Sequence, residues 1–191
     1  MKKIYEYSHL GGSEILQVRY PNIYKEVNEV IGVVKCNKTK TSEEKSTRGK
    51  QLISPIDLNR QFKKEFGDRD FAEVREKYTI VIDPNQDQTR QGYEIEVPGA
   101  YKQIDFSKKR VLIEVQLGKY AFMFYDLAKF QFFYNSGQMD VGIEIVPCYS
   151  MHKQMSSGVS YGEQLVFDIE RLKRHFPSVP VAIILIGCDE D

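Results

Sequence analysis

Apolar residues recur at helical spacing in the first part of the chain. Ile23, Val27, Val30 and Val34 lie three or four residues apart, which places their side chains on one face of a helix. Pro21 suits a first helical position, because its missing N–H would have no helical partner there in any case. The pattern predicts that residues 13–34 are helical, in two pieces that meet near Pro21.

Another helix is predicted after the polar stretch of residues 35–50. Ser54 is a favourable N-cap, and Pro55 follows it at the first helical position. The apolar face of this helix is formed by Leu58, Phe62 and Phe66, and the helix is predicted to end at Gly67.

Runs of apolar and β-branched residues predict strands at residues 78–82, 110–117, 141–146 and 181–186. The last run is apolar throughout, as expected of a strand that is buried on both faces. Turn-forming residues dominate residues 83–100, which are predicted to form a surface loop with a short strand at 93–97.

Two further helices and the order of the elements predict the fold class. Residues 121–134 are apolar over most of a helical circumference, which is typical of a helix buried on several sides. Ser160 and Glu163 match a capping box, and an apolar stripe follows them at Leu165, Ile169, Leu172 and Phe176. The resulting order predicts an α/β fold in which helices cover a β-sheet. No internal repeat or low-complexity linker divides the sequence, so residues 1–191 are predicted to form a single domain.

The charge of the chain neither requires nor excludes a nucleic-acid partner. The 27 Lys and Arg residues balance the 27 Asp and Glu residues, whereas many nucleic-acid-binding proteins are basic. A local positive surface is sufficient for such binding. Residues 35–50 contain six cationic and two acidic side chains, a local excess of four positive charges.

The cysteines and the N-terminus predict a cytoplasmic protein. Cys36, Cys148 and Cys188 are widely spaced and form no Cys-x-x-Cys pair, which favours three reduced thiols over a disulfide framework or a zinc site. No apolar run follows Lys2 and Lys3, so an ordinary signal peptide is not expected. No stretch approaches the ~20 apolar residues that a bilayer-spanning helix needs.

The candidate chemistry lies around the strand predicted at residues 110–117. Glu114 and Gln116 alternate onto one face of that strand, and Asp105 lies in the segment before it. Oxygen ligands of this kind suit Mg²⁺, and divalent ions assist phosphodiester hydrolysis. The spacing alone is also compatible with a solvated strand face.

Gln116 stands where the common nuclease pattern, Asp/Glu-x-Lys, has a lysine. A neutral amide can hold a water molecule by hydrogen bonds but cannot accept its proton. The proton acceptor is therefore either a metal-bound hydroxide or a group that the sequence does not identify.

Several blocks resemble the BglII/BstYI restriction endonucleases, and the BstYI type more than the BglII type. They are residues 103–120 (QIDFSKKRVLIEVQLGKY), 139–147 (MDVGIEIVP) and 155–161 (MSSGVSY), with residues 7–10 (YSHL) and 17–18 (QV) near the N-terminus. The blocks agree in order and approximate spacing over most of the chain. Residues 83–100 depart from the family by being shorter and richer in turn formers.

This resemblance implies a PD-(D/E)xK core, a central mixed β-sheet flanked by helices. It implies a symmetric homodimer around duplex DNA, and Mg²⁺-dependent cleavage of a GATC-centred palindrome (RGATCY or AGATCT-like) that leaves 5′ overhangs. By position, Asp105 and Glu114 become metal ligands, the backbone carbonyl of Val115 assists, and Gln116 takes the third place of the catalytic motif. No organic cofactor and no membrane partner are expected.

The resemblance, for Lys119, and the residues themselves, for the others, suggest which side chains contact DNA. Lys119 would donate to a purine in the major groove, and Ser157 would read an outer base pair, with Ser156 beside it as a further DNA-binding candidate. The basic segment would contact phosphates through Lys38, Lys40, Lys45 and Arg48. Each of these residues could instead be an ordinary solvated or turn residue.

Three alternatives remain open from the sequence. The apolar helix 121–134 favours a dimer, but such a helix could also be buried within a monomer. The chain could bind specific DNA without cleaving it. It could also be a repair nuclease that shares the core and recognises DNA structure rather than sequence.

Overall fold

The computed structural model describes residues 1–45, 48–78, 80–82, 93–95 and 98–188. Six helices are formed by α1 (Gly12–Arg19), α2 (Pro21–Val33), α3 (Pro55–Gly67), α4 (Tyr120–Asn135), α5 (Tyr149–His152) and α6 (Gly162–Leu172) within these residues. The strands are β1 (Lys2–His9), β2 (Lys40–Thr41), β3 (Gln51–Leu52), β4 (Ala72–Lys77), β5 (Ile80–Ile82), β6 (Tyr93–Ile95), β7 (Tyr101–Lys108), β8 (Val111–Val115), β9 (Val141–Pro147) and β10 (Val181–Gly187).

Six of these strands form a mixed sheet in the order β1-β10-β9-β8-β7-β4. The three middle strands β10, β9 and β8 run parallel, and β1, β7 and β4 are antiparallel to their neighbours. Parallel neighbours need a crossover, which α4 provides between β8 and β9 and which α5 and α6 provide between β9 and β10. The predicted α/β class with a central mixed sheet is therefore confirmed.

The predicted helix boundaries follow from capping and proline positions. Tyr20 separates α1 from α2, and Pro21 occupies the first position of α2. The Ser54 hydroxyl accepts a 3.4 Å hydrogen bond from the backbone N–H of Asp57 at the start of α3. The residues predicted for the apolar faces of α2 and α3 are buried.

Helix α4 packs tightly on the sheet, although it is not buried all around. Gly142 of β9 allows this approach, because a Cβ there would lie 2.8 Å from the Phe130 ring. On another side of the helix, Phe122 and Tyr125 are exposed. The apolar residues of α4 therefore lie in two environments. Some pack on the sheet, and others form a surface that is exposed in the single chain.

Some elements differ from the sequence prediction. Strands β1, β4 and β7 were not predicted, because they lie toward or at the edges of the sheet and carry many polar residues. The capping box at Ser160 is wrong: Tyr161 is the N-cap of α6, and the Glu163 carboxylate accepts instead from the N–H of Tyr149 at 2.9 Å. Within the predicted strand over residues 78–82, Ile80–Ile82 form β5, and most of the predicted loop 83–100 lies outside the described residues.

The prediction of three reduced thiols is also wrong. Cys36, just after α2, and Cys188, at the end of β10, form a disulfide with their Cα atoms 5.8 Å apart. They are 152 residues apart in sequence, so only the packing of the fold brings them together. Cys148 is a free, buried thiol. None of the helices in the described residues has the length and apolar character needed to cross a bilayer.

Candidate active site

The candidate catalytic residues meet where strands β7 and β8 part. Their antiparallel ladder pairs Lys108 with Val111 and ends at Phe106 with Ile113. One residue further, the same register places Asp105 opposite Glu114. Side chains opposite each other in such a ladder share one face of the sheet, so the two carboxylates predicted from sequence are brought together.

Val115 turns its backbone toward Asp105. On the far side of β8, the Gln116 N–H donates to the carbonyl of Ile145 in β9 at 2.9 Å. Because successive peptide groups of a strand point in opposite directions, the N–H and C=O of Val115 point toward β7 instead. The Val115 N–H accordingly donates to the Asp105 carboxylate in a long 3.4 Å hydrogen bond. The Val115 carbonyl therefore lies on the side where the two strands open.

Glu114 belongs to a buried cluster of charged residues, not to a solvated strand face. Glu114, Asp126 and Glu144 are exposed by only 3%, 2% and 0%. Lys129 of α4 pairs with Glu114 at 2.6 Å and with Asp126 at 2.8 Å. Glu144 of β9 is the register partner of Glu114, and neither of its carboxyl oxygens has a hydrogen-bond partner in the described structure.

One lysine cannot neutralise three buried carboxyl groups. Burial, and then repulsion from Asp126 and Asp105, raises the pKa of Glu114 to about 9. Burial likewise raises the pKa of Asp126, and burial with repulsion from neighbouring carboxylates raises that of Glu144. Burial lowers the pKa of Lys129, but the attraction of Glu114 and Asp126 outweighs it, so this pKa is raised. The cluster therefore holds protons near neutral pH unless another cation joins it.

Gln116 is oriented by the same cluster. Its side-chain amide donates to Asp126 at 2.6 Å, which leaves the amide oxygen as an acceptor. Gly118 lies beside that oxygen, since a Cβ on Gly118 would come within 2.8 Å of it. The side chain at the third motif position is thus held in place, but it carries no charge.

An open cleft of about 330 Å³ leads to the end of β7 and β8. Asp105, Val115 and Gln103 line it from the sheet, and Glu73 lines it from β4. The opposite wall is the face of α3 that carries Asn59, Lys63 and Gly67. Asp105 and Val115 are therefore reachable from solvent, whereas Glu114 lies beneath them with Lys129.

The donor set of the cleft suits a magnesium ion. No three His, Cys, Asp or Glu side chains within the described residues are arranged to hold one ion. Mg²⁺ usually keeps several water ligands and uses one or two carboxylates, so it does not need such a group. The Asp105 carboxylate and the Val115 carbonyl are the hard oxygen donors that would serve as ligands at the cleft. Direct ligation by Glu114 would require it to leave Lys129. Metal ligation by Asp105, Glu114 and Val115 stays a prediction.

The predicted base-reading residues lie close together at the carboxyl ends of β8 and β9. Lys119 is the exposed N-cap residue of α4, in the turn that follows β8. The Ser160 N–H donates to the Gly118 carbonyl at 2.8 Å and so ties this turn to the loop of Ser156 and Ser157. Ser157 is exposed and Ser156 is half-buried.

The basic segment reaches the same loop. The N–H of Ile53 donates to the Gln154 carbonyl at 2.8 Å, and the Ser157 N–H donates to Glu44 at 3.1 Å. Lys40 and Ser156 line a shared hollow of about 430 Å³. Lys38, Lys45 and Arg48 are exposed on the same segment. The structure thus joins the predicted phosphate-contacting segment to the predicted base-reading loop.

The sequence analysis did not identify Asp126, Lys129 and Glu144 as members of the buried charged cluster. It also did not identify Lys63 as a residue that lines the cleft. A signal existed for the first three, since each is a charged residue within an otherwise apolar helix or strand. Buried charges of this kind are rare unless they are paired or functional. Lys63 lies on a polar helix surface and had no comparable signal.

The sheet, the flanking helices and two opposed carboxylates at a splayed strand pair define a nuclease of the PD-(D/E)xK restriction endonuclease class. The family model described as restriction endonuclease BglII/BglIII matches residues 4–186. The chain therefore belongs to the BglII/BglIII restriction endonuclease family and is a site-specific deoxyribonuclease. Enzymes of this class generally use divalent metal ions.

Solved structures share this fold. The structure of restriction endonuclease BglII complexed with a DNA 16-mer aligns with a TM-score of 0.74 and 23% identity, over 99% of this chain and 79% of that one. Free BglII aligns with a TM-score of 0.65 and 19% identity, over 99% and 81% of the two chains. At these identities the likeness shows the fold. The curated proteins contain no match to this sequence.

Proposed function

We propose that this protein is a Mg²⁺-dependent type II restriction endonuclease that cleaves both strands of a GATC-centred palindrome and leaves 5′ overhangs. The observation that carries the proposal is the opposition of Asp105 and Glu114 across the end of the β7–β8 ladder, under an open cleft. We further propose a single endonuclease domain that acts in the cytoplasm.

Each residue of the site has a distinct task in this proposal. A divalent ion would polarise the scissile phosphate and lower the pKa of a bound water. Asp105 and the Val115 carbonyl would hold that ion, and Glu114 would contribute as a ligand or as a negative charge directly beneath it. The free amide oxygen of Gln116 would accept a hydrogen bond from the attacking water and orient it. It cannot take the proton of that water, which would pass to solvent.

Site recognition is assigned to the end of the sheet next to this cleft. Lys119 would donate to a purine edge in the major groove, and Ser156 and Ser157 would read the outer base pair. Their proximity through the Ser160–Gly118 hydrogen bond supports a shared role. Lys38, Lys40, Lys45 and Arg48 would contact phosphates, which makes binding dependent on salt.

A homodimer fits a palindromic site, because the two-fold axis of the protein then matches that of the DNA. Exposed aromatic residues on α4 support a dimer. Phe122 and Tyr125 lie three residues apart and are 53% and 47% exposed. We propose that this side of α4 packs against the partner's copy.

Digestion of plasmid DNA with Mg²⁺ tests the proposal. We expect discrete fragments whose sequenced ends share a six-base palindrome with GATC at its centre. The Glu114→Ala variant should produce none, while still binding the site in EDTA. Uniform degradation, preferential cleavage of branched DNA, or intact plasmid with every divalent ion would each contradict the proposal.

A further inference from the structure

The cleft over Asp105 lacks the lysine that the common Asp/Glu-x-Lys pattern would provide. Gln116 occupies that position and is neutral. The nearby Lys129 is only 11% exposed, and two carboxylates already hold its ammonium group. Neither residue can offer a free positive charge to a phosphate in the cleft.

Helix α3 places a different lysine on the opposite wall. Asn59, Lys63 and Gly67 are spaced by four residues, so they lie on one helix face, and all three line the cleft with Asp105 and Val115. Among the described residues that line this cleft, Lys63 alone carries a positive charge. A phosphate bound beside Asp105 would therefore share this cleft with Lys63.

The adjacent lysine of the same helix behaves differently. Lys64 forms ion pairs with Glu65 at 3.3 Å and with Asp68 at 3.0 Å. Lys63 is exposed and forms no ion pair with the carboxylates that the structure describes. Its ammonium group is therefore available to an incoming anion, and its long side chain can reach into the cleft at little structural cost.

We propose that Lys63 contacts the scissile phosphate and supplies, from α3, the positive charge that the third motif position lacks. In the reaction, the water oxygen bonds to phosphorus, a bridging P–O bond breaks, the water proton passes to solvent, and the leaving oxygen takes up a proton. Lys63 exchanges neither protons nor electrons; it stabilises the charge that develops on the phosphate oxygens. This inference rests on the proposed nuclease function.

Single-turnover cleavage at saturating enzyme tests this assignment, with Lys64→Gln as the matched control. Both variants remove one positive charge from adjacent positions of an exposed helix. Lys63→Gln should lower the saturated rate constant by about 10²-fold, as removal of one transition-state donor does in other enzymes. Lys63→Arg should keep most of the rate, and Lys64→Gln should stay within about twofold of the unmodified enzyme.

The same series separates this inference from the function on which it rests. If the unmodified enzyme does not cleave, the proposed function is wrong and the role of Lys63 falls with it. If the enzyme cleaves and Lys63→Gln matches Lys64→Gln, only the role of Lys63 is refuted. A weaker affinity in EDTA with an unchanged saturated rate would also refute it, since Lys63 would then be a general phosphate contact.

Discussion

Replacement of Glu144 by glutamine should change how the stability of the protein depends on pH. The carboxyl group of Glu144 is fully buried beside Glu114, and its oxygens have no hydrogen-bond partner among the described residues. Burial therefore raises its pKa in the folded state. The unfolded chain releases the same proton at the ordinary pKa of about 4.3.

The direction of the effect follows from proton linkage. Above the unfolded pKa, the folded state binds more protons than the unfolded state, so stability falls as the pH rises. Each such group contributes a slope of about 1.36 kcal/mol per pH unit until the pH reaches its folded pKa. Between pH 5.5 and 8.5, Glu144 can therefore contribute a loss of at most about 4 kcal/mol. Glu114 adds a similar slope, since its pKa is about 9.

Urea denaturation in EDTA at pH 5.5 and 8.5 measures the difference. The glutamine side chain has nearly the shape of a protonated glutamic acid and has no proton to lose. The Glu144→Gln variant should therefore be as stable as the unmodified protein at pH 5.5 and more stable than it at pH 8.5. Glu29→Gln, at a half-exposed position of α2, provides the control and should keep the unmodified slope. If the free energy of unfolding changes equally with pH in Glu144→Gln and in the unmodified protein, the assignment of a protonated carboxyl group to Glu144 is refuted.

Three other predictions address the cluster, the DNA contacts and the dimer. Lys129→Met removes the buried cation that Glu114 and Asp126 share, so the cluster must bind a further proton; the free energy of unfolding in urea melts should fall more at pH 8.5 than at pH 5.5, and an equal loss at both would contradict the pairing. Lys40→Gln should reduce the slope of log K against log salt by about 0.9 in gel-shift titrations, and an unchanged slope would exclude a phosphate contact. Phe122→Asp should shift sedimentation from dimer to monomer, whereas the equally exposed Phe167→Asp on α6 should not; a persistent dimer in the first variant would place the interface elsewhere.

The sequence by itself determined the elements whose physics is local. Pro21, Ser54 and Pro55 mark helix starts because capping and proline geometry depend on adjacent residues alone. The continuous apolar run of β10 predicted a strand that is buried on both faces, because this pattern lies within the run itself. The segment around Asp105 and Glu114 was recognisable because its flanking residues resemble those of known nucleases.

The tertiary structure decided what depends on contacts between distant segments. The strands of the sheet that lie toward its edges are partly polar, so no apolar pattern distinguished β1, β4 and β7 from loops. The disulfide of Cys36 and Cys188 joins residues 152 positions apart, and no local signal predicts such a pairing.

The electrostatics of the site were also decided by packing. Glu144 lies beside Glu114 only because β9 pairs with β8 in that register, and Lys129 reaches Glu114 only because α4 crosses over the same strands. Lys63 faces Asp105 across a cleft whose walls come from α3 and the sheet. Charges interact through space over a few ångströms, so their partners are set by the fold and not by their spacing along the chain.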